Sequence, residues 1–120
     1  MKVAFTTSGE SLGSPFDGRF GRTPKFLIYD MDSGTIEVID NEQNLNAAKG
    51  AGIQAAEQVM RAGVDCVVTG HCGPKAFRVL SAAGIKVFTA HASTVAEALE
   101  QYNSGGLVPA QSADVEGHWS

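Results

Sequence analysis

The chain has 120 residues, with 9 Lys and Arg against 13 Asp and Glu, for a formal net charge of −4. One domain is expected, since a domain takes roughly 100–200 residues, and 43% hydrophobic against 18% charged residues is a globular mix incompatible with wholesale disorder. The acidic balance, without a basic run, argues against nucleic acid as a partner, because duplex affinity rests on Lys and Arg neutralising phosphates. No apolar run reaches the roughly 18–20 residues that span a bilayer, so no membrane partner is expected. Met1-Lys2-Val3-Ala4-Phe5 leads straight into a strand-like segment without signal-peptide architecture. Two cysteines then fit a reducing compartment, and a cytoplasmic location is expected.

In chain order, Val3–Thr7 is short, apolar and β-branched and reads as a first strand. Residues 8–24, punctuated by Gly9, Gly13, Pro15, Gly18, Gly21 and Pro24, form a loop long enough to suggest a functional role. Phe26–Tyr29 and Thr35–Ile39 read as strands joined by a hairpin over Asp30–Gly34, which makes the first three strands an antiparallel meander. From residue 46, Ile53, Ala56, Val59 and Met60 recur at helical spacing up to Gly63. Val64–Thr69 suits a buried strand. Pro74 opens a second helix carrying Ala76, Phe77, Val79, Leu80 and Ala83 and capped by Gly84. Ile85–Phe88 is a fifth strand, and the Thr94/Glu97 capping box starts a last helix that Gly105 stops. Residues 1–108 make one domain, and 109–120, polar and without periodicity, read as a flexible C-terminal tail. The order β-β-β-α-β-α-β-α, with two crossover connections, predicts an α/β fold with one mixed sheet covered by helices.

In open α/β sheets ligands bind beyond the carboxyl ends of strands, where the strand order reverses. With the first strand central, that edge receives Ser8 and Gly9, then Phe20-Gly21-Arg22 ahead of the second strand. It also receives Gly70-His71-Cys72-Gly73-Pro74-Lys75 after the fourth strand, and His91 after the fifth. The Gly70–Lys75 segment turns from a strand directly into a helix, whose free N–H groups and dipole favour an anion. Lys75 and Arg22 would add charge-assisted donors. The plainer reading is that Gly70 and Gly73 only permit a tight turn. The spacing fits neither a Walker loop nor a dinucleotide fingerprint. His71 and Cys72 have no second pair at zinc-binding spacing. Cys72 near a helix start could be a reactive thiol or a small loop residue. Cys66 reads as a small hydrophobe in a strand, and a Cys66–Cys72 disulfide is not expected. His118 in the tail has no assigned role. No hydrolytic motif occurs, so no catalytic residue is assigned.

Phe20-Gly21-Arg22-Thr23-Pro24-Lys25-Phe26 is similar to the F-G-R-x-x-x-F signature of the dinitrogenase iron-molybdenum cofactor biosynthesis domain family. Gly63–Gly70, with Gly73, Ala76 and Leu80 and then Gly84-Ile85-Lys86-Val87, resembles its second half. The resemblance runs from residue 1 to about residue 107. It implies a ribonuclease H-like five-stranded mixed sheet with helices on both faces. It also implies a non-catalytic protein that binds, carries or shields a metal–sulfur cluster. One branch of the family, from sulfate-reducing bacteria, holds a molybdenum–copper sulfide cluster without covalent ligands. The chain is similar to that branch in size and in Ser14-Pro15-Phe16-Asp17-Gly18-Arg19-Phe20.

The ligand so implied is an anionic molybdenum–copper sulfide cluster, or a related molybdenum or iron sulfide cluster, with a protein partner for its delivery and a monomer or weak dimer as the assembly. Carried onto this chain, the cofactor-binding residues are Ser8, Gly9, Ser14, Phe20, Gly21, Arg22, Gly70, His71, Cys72, Gly73, Pro74, Lys75 and His91. Phe20 would give apolar contact, and His71 and Cys72 outer-shell contact rather than metal bonds. Two alternatives stay open: an enzyme on a small anion, with Cys72 as nucleophile and His71 or His91 as base, or a ligand-free regulatory interaction module.

Overall fold

The computed structural model describes residues 1–41, 51–107, 109 and 110. Strands β1 (Lys2–Thr7), β2 (Lys25–Asp30) and β3 (Ile36–Asp40) are followed by α1 (Ala51–Arg61), β4 (Cys66–Thr69), α2 (Pro74–Ala82), β5 (Lys86–Thr89) and α3 (Val95–Asn103). They make one five-stranded sheet in the order β3-β2-β1-β4-β5. β1 pairs antiparallel with β2, and β2 with β3, while β1–β4 and β4–β5 are parallel. The sheet is therefore mixed, with β1 central, the placement assumed in assigning the strand ends to one edge.

Period-2 alternation sends the strand side chains to two cores. Ala4, Phe26, Ile28, Val67 and Val87 pack beneath Ala55, Ala56 and Val59 of α1 and Ala76 and Leu80 of α2. Val3, Phe5, Leu27, Cys66 and Val68 pack against Val95, Ala98 and Leu99 of α3. Helices thus cover both faces. Gly63, Gly84 and Gly105, each with φ between +76° and +78°, follow the three helices as the sequence predicts. Thr94 Oγ1 accepts the Glu97 N–H at 3.2 Å, but the Glu97 carboxylate reaches back to the N–H of Ser93, one residue earlier than in a regular capping box.

The start of the first helix, from residue 46 to 50, lies outside the described residues. The long loop of residues 8–24 is hydrogen-bonded to the strand ends beside it, as shown below. At the other end, Pro109 bridges antiparallel to Phe88, and the Ala110 N–H donates to Val87 O at 2.7 Å. The stretch expected to be loose from residue 109 therefore begins paired to the outer edge of β5; residues 111–120 lie outside the described residues. Among the described residues no helix is long and apolar enough to cross a membrane.

Candidate functional site

The carboxyl ends of β1, β4 and β5 lie on one edge of the sheet, and the register Thr7↔Lys25 brings the start of β2 to the same edge. Beneath it runs a buried polar belt. Thr6, Thr7, Thr23, Asn41 and Thr69 are all fully buried. Thr6 Oγ1 and Thr69 Oγ1 are 3.0 Å apart, joining β1 to β4. The Thr7 N–H donates to Thr23 Oγ1 at 2.9 Å, and the Thr23 hydroxyl lies 2.9 Å from both Thr7 O and Lys25 O. Among the described residues every buried side-chain nitrogen and oxygen has a partner, which is what burial of polar groups demands.

The long first loop is woven onto this belt. The Asp17 N–H donates to Thr6 O at 2.9 Å, and the Thr6 hydroxyl donates back to Asp17 O. Thr7 Oγ1 donates to Pro15 O at 2.7 Å. The Phe16 N–H donates to Ser93 O at 3.1 Å, while Val95 and Ala96 donate to Ser14 O and Leu12 O, fastening the loop to the start of α3. The loop then crosses the end of β4, where Arg19 bridges His71 and the Phe20 N–H donates to His71 O at 3.0 Å.

That crossing explains Gly70. A Cβ there would stand 2.7 Å from both the Cα and the O of Gly18, so no side chain fits under the strap. A Cβ on Gly9 would fall on Ser14 Oγ, and Ser14 itself accepts the Ser11 N–H at 3.1 Å. Gly9, Ser14 and Gly70 thus have structural partners within the loop system.

The side chains expected to meet a ligand divide. Ser8, Arg22, Pro74, Lys75 and His91 are exposed, and Gly21, His71 and Gly73 are half-buried on the same edge. His91 also anchors α3 through its carbonyl, which accepts from Gln101 Nε2 at 2.9 Å. Phe20 and Cys72 do not face the rim. Each is only 1% exposed and lies in the core beneath α1 and α2, with the Phe20 ring 5.4 Å from that of Phe26. Phe20 therefore gives no outward apolar surface. Burial of Cys72 counts against its use as a nucleophile: iodoacetamide is expected to alkylate it far more slowly than a free model thiol at neutral pH, with full reactivity returning only in denaturant. Mass spectrometry of timed quenches checks this.

The electrostatics of the edge are uneven. The Lys25 ammonium lies 2.6 Å from Asp40 and 3.6 Å from Glu10, and the Asp40 hydrogen bond is the main reason its pKa is held above the ordinary lysine value. Arg19 lies 3.4 Å from Asp17. Lys75, by contrast, is exposed and has no ion pair among the described residues. It stands in the first turn of α2, whose N-cap is Gly73, a residue without a capping side chain, and whose first residue is Pro74. The N–H groups of such a turn favour an anion. Among the described residues no three His, Cys, Asp or Glu side chains converge to hold a metal ion. The arrangement suits a bulky anion held from outside by N–H groups and cations.

The buried Thr6, Thr7, Thr23, Thr69 and Asn41 are absent from the sequence reading. The available signal was threonine at the last position of two apolar strands, where a hydroxyl can satisfy the backbone as it leaves the sheet.

Comparison with known proteins bears on this edge. The model of the dinitrogenase iron-molybdenum cofactor family matches residues 1–105. The chain is similar to the apo form of the orange protein from Desulfovibrio gigas, at 35% identity and a TM-score of 0.91 over 94% of this chain and 95% of that one. It is similar to a Thermotoga protein of the DUF35 family, at 34% identity and a TM-score of 0.84 over 97% and 98% of the two chains. An uncharacterised protein of Methanocaldococcus jannaschii is 32% identical over 110 residues, 89% of each chain.

Proposed function

Because this chain belongs to the dinitrogenase iron-molybdenum cofactor family, we propose that it is a non-catalytic carrier of an anionic molybdenum-containing metal–sulfide cluster, held without covalent bonds on the rim built by the first loop and the β4–α2 turn. The observation that carries this reading is the start of α2, N-capped by a glycine that brings no side chain, with exposed Lys75 in its first turn and Arg22 on the same edge. The similarity to the orange protein supports molybdenum–copper sulfide as the cargo. A multiply charged sulfide anion needs distributed donors and local positive charge. The net charge of −4 does not oppose this, because charges beyond a Debye length of about 8–10 Å are screened. In this reading Arg22 and Lys75 neutralise the cargo, the α2 N–H groups orient it, and the strapped loop limits water access. The protein works in the cytoplasm as a monomer or weak dimer and passes the cluster to a protein partner.

Mixing the apo-protein with tetrathiomolybdate and a copper salt is expected to give a chromophore that co-elutes with protein on gel filtration at fixed stoichiometry. Arg22→Ala and Lys75→Ala are each expected to weaken retention about tenfold, the loss of one charge-assisted contact. The loss should shrink as ionic strength rises. Colour eluting wholly apart from the wild-type protein would overturn the reading.

A further inference from the structure

Asn41 is fully buried although it stands just where the chain leaves β3. Its Nδ2 donates to Thr23 O at 2.8 Å and its backbone N–H donates to Pro24 O at 2.7 Å. Its Oδ1 accepts from Gln58 Nε2 of α1 at 3.2 Å. One residue therefore clasps the turn that follows Arg22 and ties that turn to a helix. On its other side the same turn is fastened to β1, through the Thr23 hydroxyl and the backbone of Thr7. Arg22 itself is exposed, but the residue after it is held from both directions. A charged side chain on a long flexible stem acts on a ligand with defined geometry only if its own backbone is fixed.

We propose that Asn41 is a positioning residue of the rim: it locks the Arg22–Lys25 turn between α1 and the end of β1, so that Arg22 is presented to the anionic cargo from a fixed backbone. The part concerning cargo rests on the carrier reading above; the part concerning the turn does not. Asn41 touches no cargo in this account and acts only through Thr23 and Pro24. Removing its side chain leaves Thr23 O buried without its donor and frees one side of the turn, while the cations of the rim stay in the sequence.

The test uses the full-length protein, with Asn41→Ala, Gln58→Ala and, as a control, Val64→Ala. Val64 is buried at the opposite edge of the sheet, and its truncation loosens the core without touching the turn. The first measurement needs no cargo. Trypsin cuts after Arg22 only when Thr23 leaves its clasp. Asn41→Ala is expected to raise cleavage at that bond about tenfold, at a temperature where each variant is fully folded by circular dichroism, and Gln58→Ala by a smaller factor. Val64→Ala should leave cleavage at that bond unchanged.

The second measurement is retention of tetrathiomolybdate with copper. Asn41→Ala is expected to weaken it about tenfold and to alter the visible spectrum of what remains bound. Val64→Ala should bind with wild-type affinity and spectrum. If the wild-type protein takes up no colour, the carrier reading fails while the trypsin measurement still decides the role of Asn41. Wild-type cleavage at Arg22 in Asn41→Ala overturns the proposal. Should Asn41→Ala not fold, wild-type cleavage and retention in Gln58→Ala overturn it equally.

Discussion

Replacing Gly70 by alanine is expected to lower the melting temperature by about 10 °C and to abolish retention of a metal–sulfide cargo. The added Cβ would stand 2.7 Å from Gly18 Cα and from Gly18 O, backbone atoms that cannot turn aside as a side-chain tip can. The strap from Asp17 to Phe20 is held on both sides of that contact, by Thr6 and by His71. Relief therefore requires breaking one of those ties. Overpacking of this kind costs about 2–3 kcal/mol, and in a domain of this size each kcal/mol moves the midpoint by roughly 4 °C. The partner position supplies the control. A Cβ on Gly18 meets nothing within 4 Å, so Gly18→Ala should melt within about 2 °C of wild type, as surface substitutions do. Thermal denaturation followed by circular dichroism compares the two. Equal midpoints would refute the close-approach account of Gly70.

Phe20 gives the second large effect. The sequence places it among residues that meet a ligand, whereas the fold puts its ring in the core, 1% exposed and against Phe26. Phe20→Ala is expected to cost about 3–5 kcal/mol, the range for deleting a buried aromatic ring. That is a large part of the 5–15 kcal/mol that usually holds a domain folded. Phe20→Leu refills most of the volume and should cost about 1–1.5 kcal/mol with cargo retention unchanged. A residue facing the cargo would behave in the opposite way, with retention lost and stability kept. Chemical denaturation beside a retention assay separates these cases.

The elements were legible because each carried its own period, apolar run or cap. The short apolar runs Val3–Thr7 and Phe26–Tyr29, the capping threonine at 94 and the glycines at 63, 84 and 105 are local signals, and local physics decided them. That residues 8, 22, 70 and 91 share one edge followed from topology, since β1, β4 and β5 run parallel and β2 antiparallel to them. Which side chains turn inward was not legible. Loops have no period, so nothing in Phe20-Gly21-Arg22 or His71-Cys72-Gly73 separates the core residue from its exposed neighbours. The reason for Gly70 lies in Gly18, and the reason for Asn41 in Thr23 and Gln58. Contacts between segments so far apart in sequence leave no mark in either segment. The pairing of Pro109 and Ala110 with β5 was hidden for the same reason, because a two-residue bridge is too short to show a pattern.

The fastening of the first loop also dictates when the rim can exist. Leu12 and Ser14 give their carbonyls to Ala96 and Val95, and Phe16 donates to Ser93, so the beginning of the chain is completed by its last quarter. Closing so long an interval of sequence is slow, and its entropic cost must be met before those contacts reward it. During synthesis the meander can form early together with the loop's ties to Thr6 and Thr7, but its fastenings to His71 and to the start of α3 wait until those segments have emerged. A nascent or truncated chain ending before residue 93 would have the first loop tied to β1 and to His71 but not to the start of α3. The first loop is thus fully fastened only once the final helix has begun.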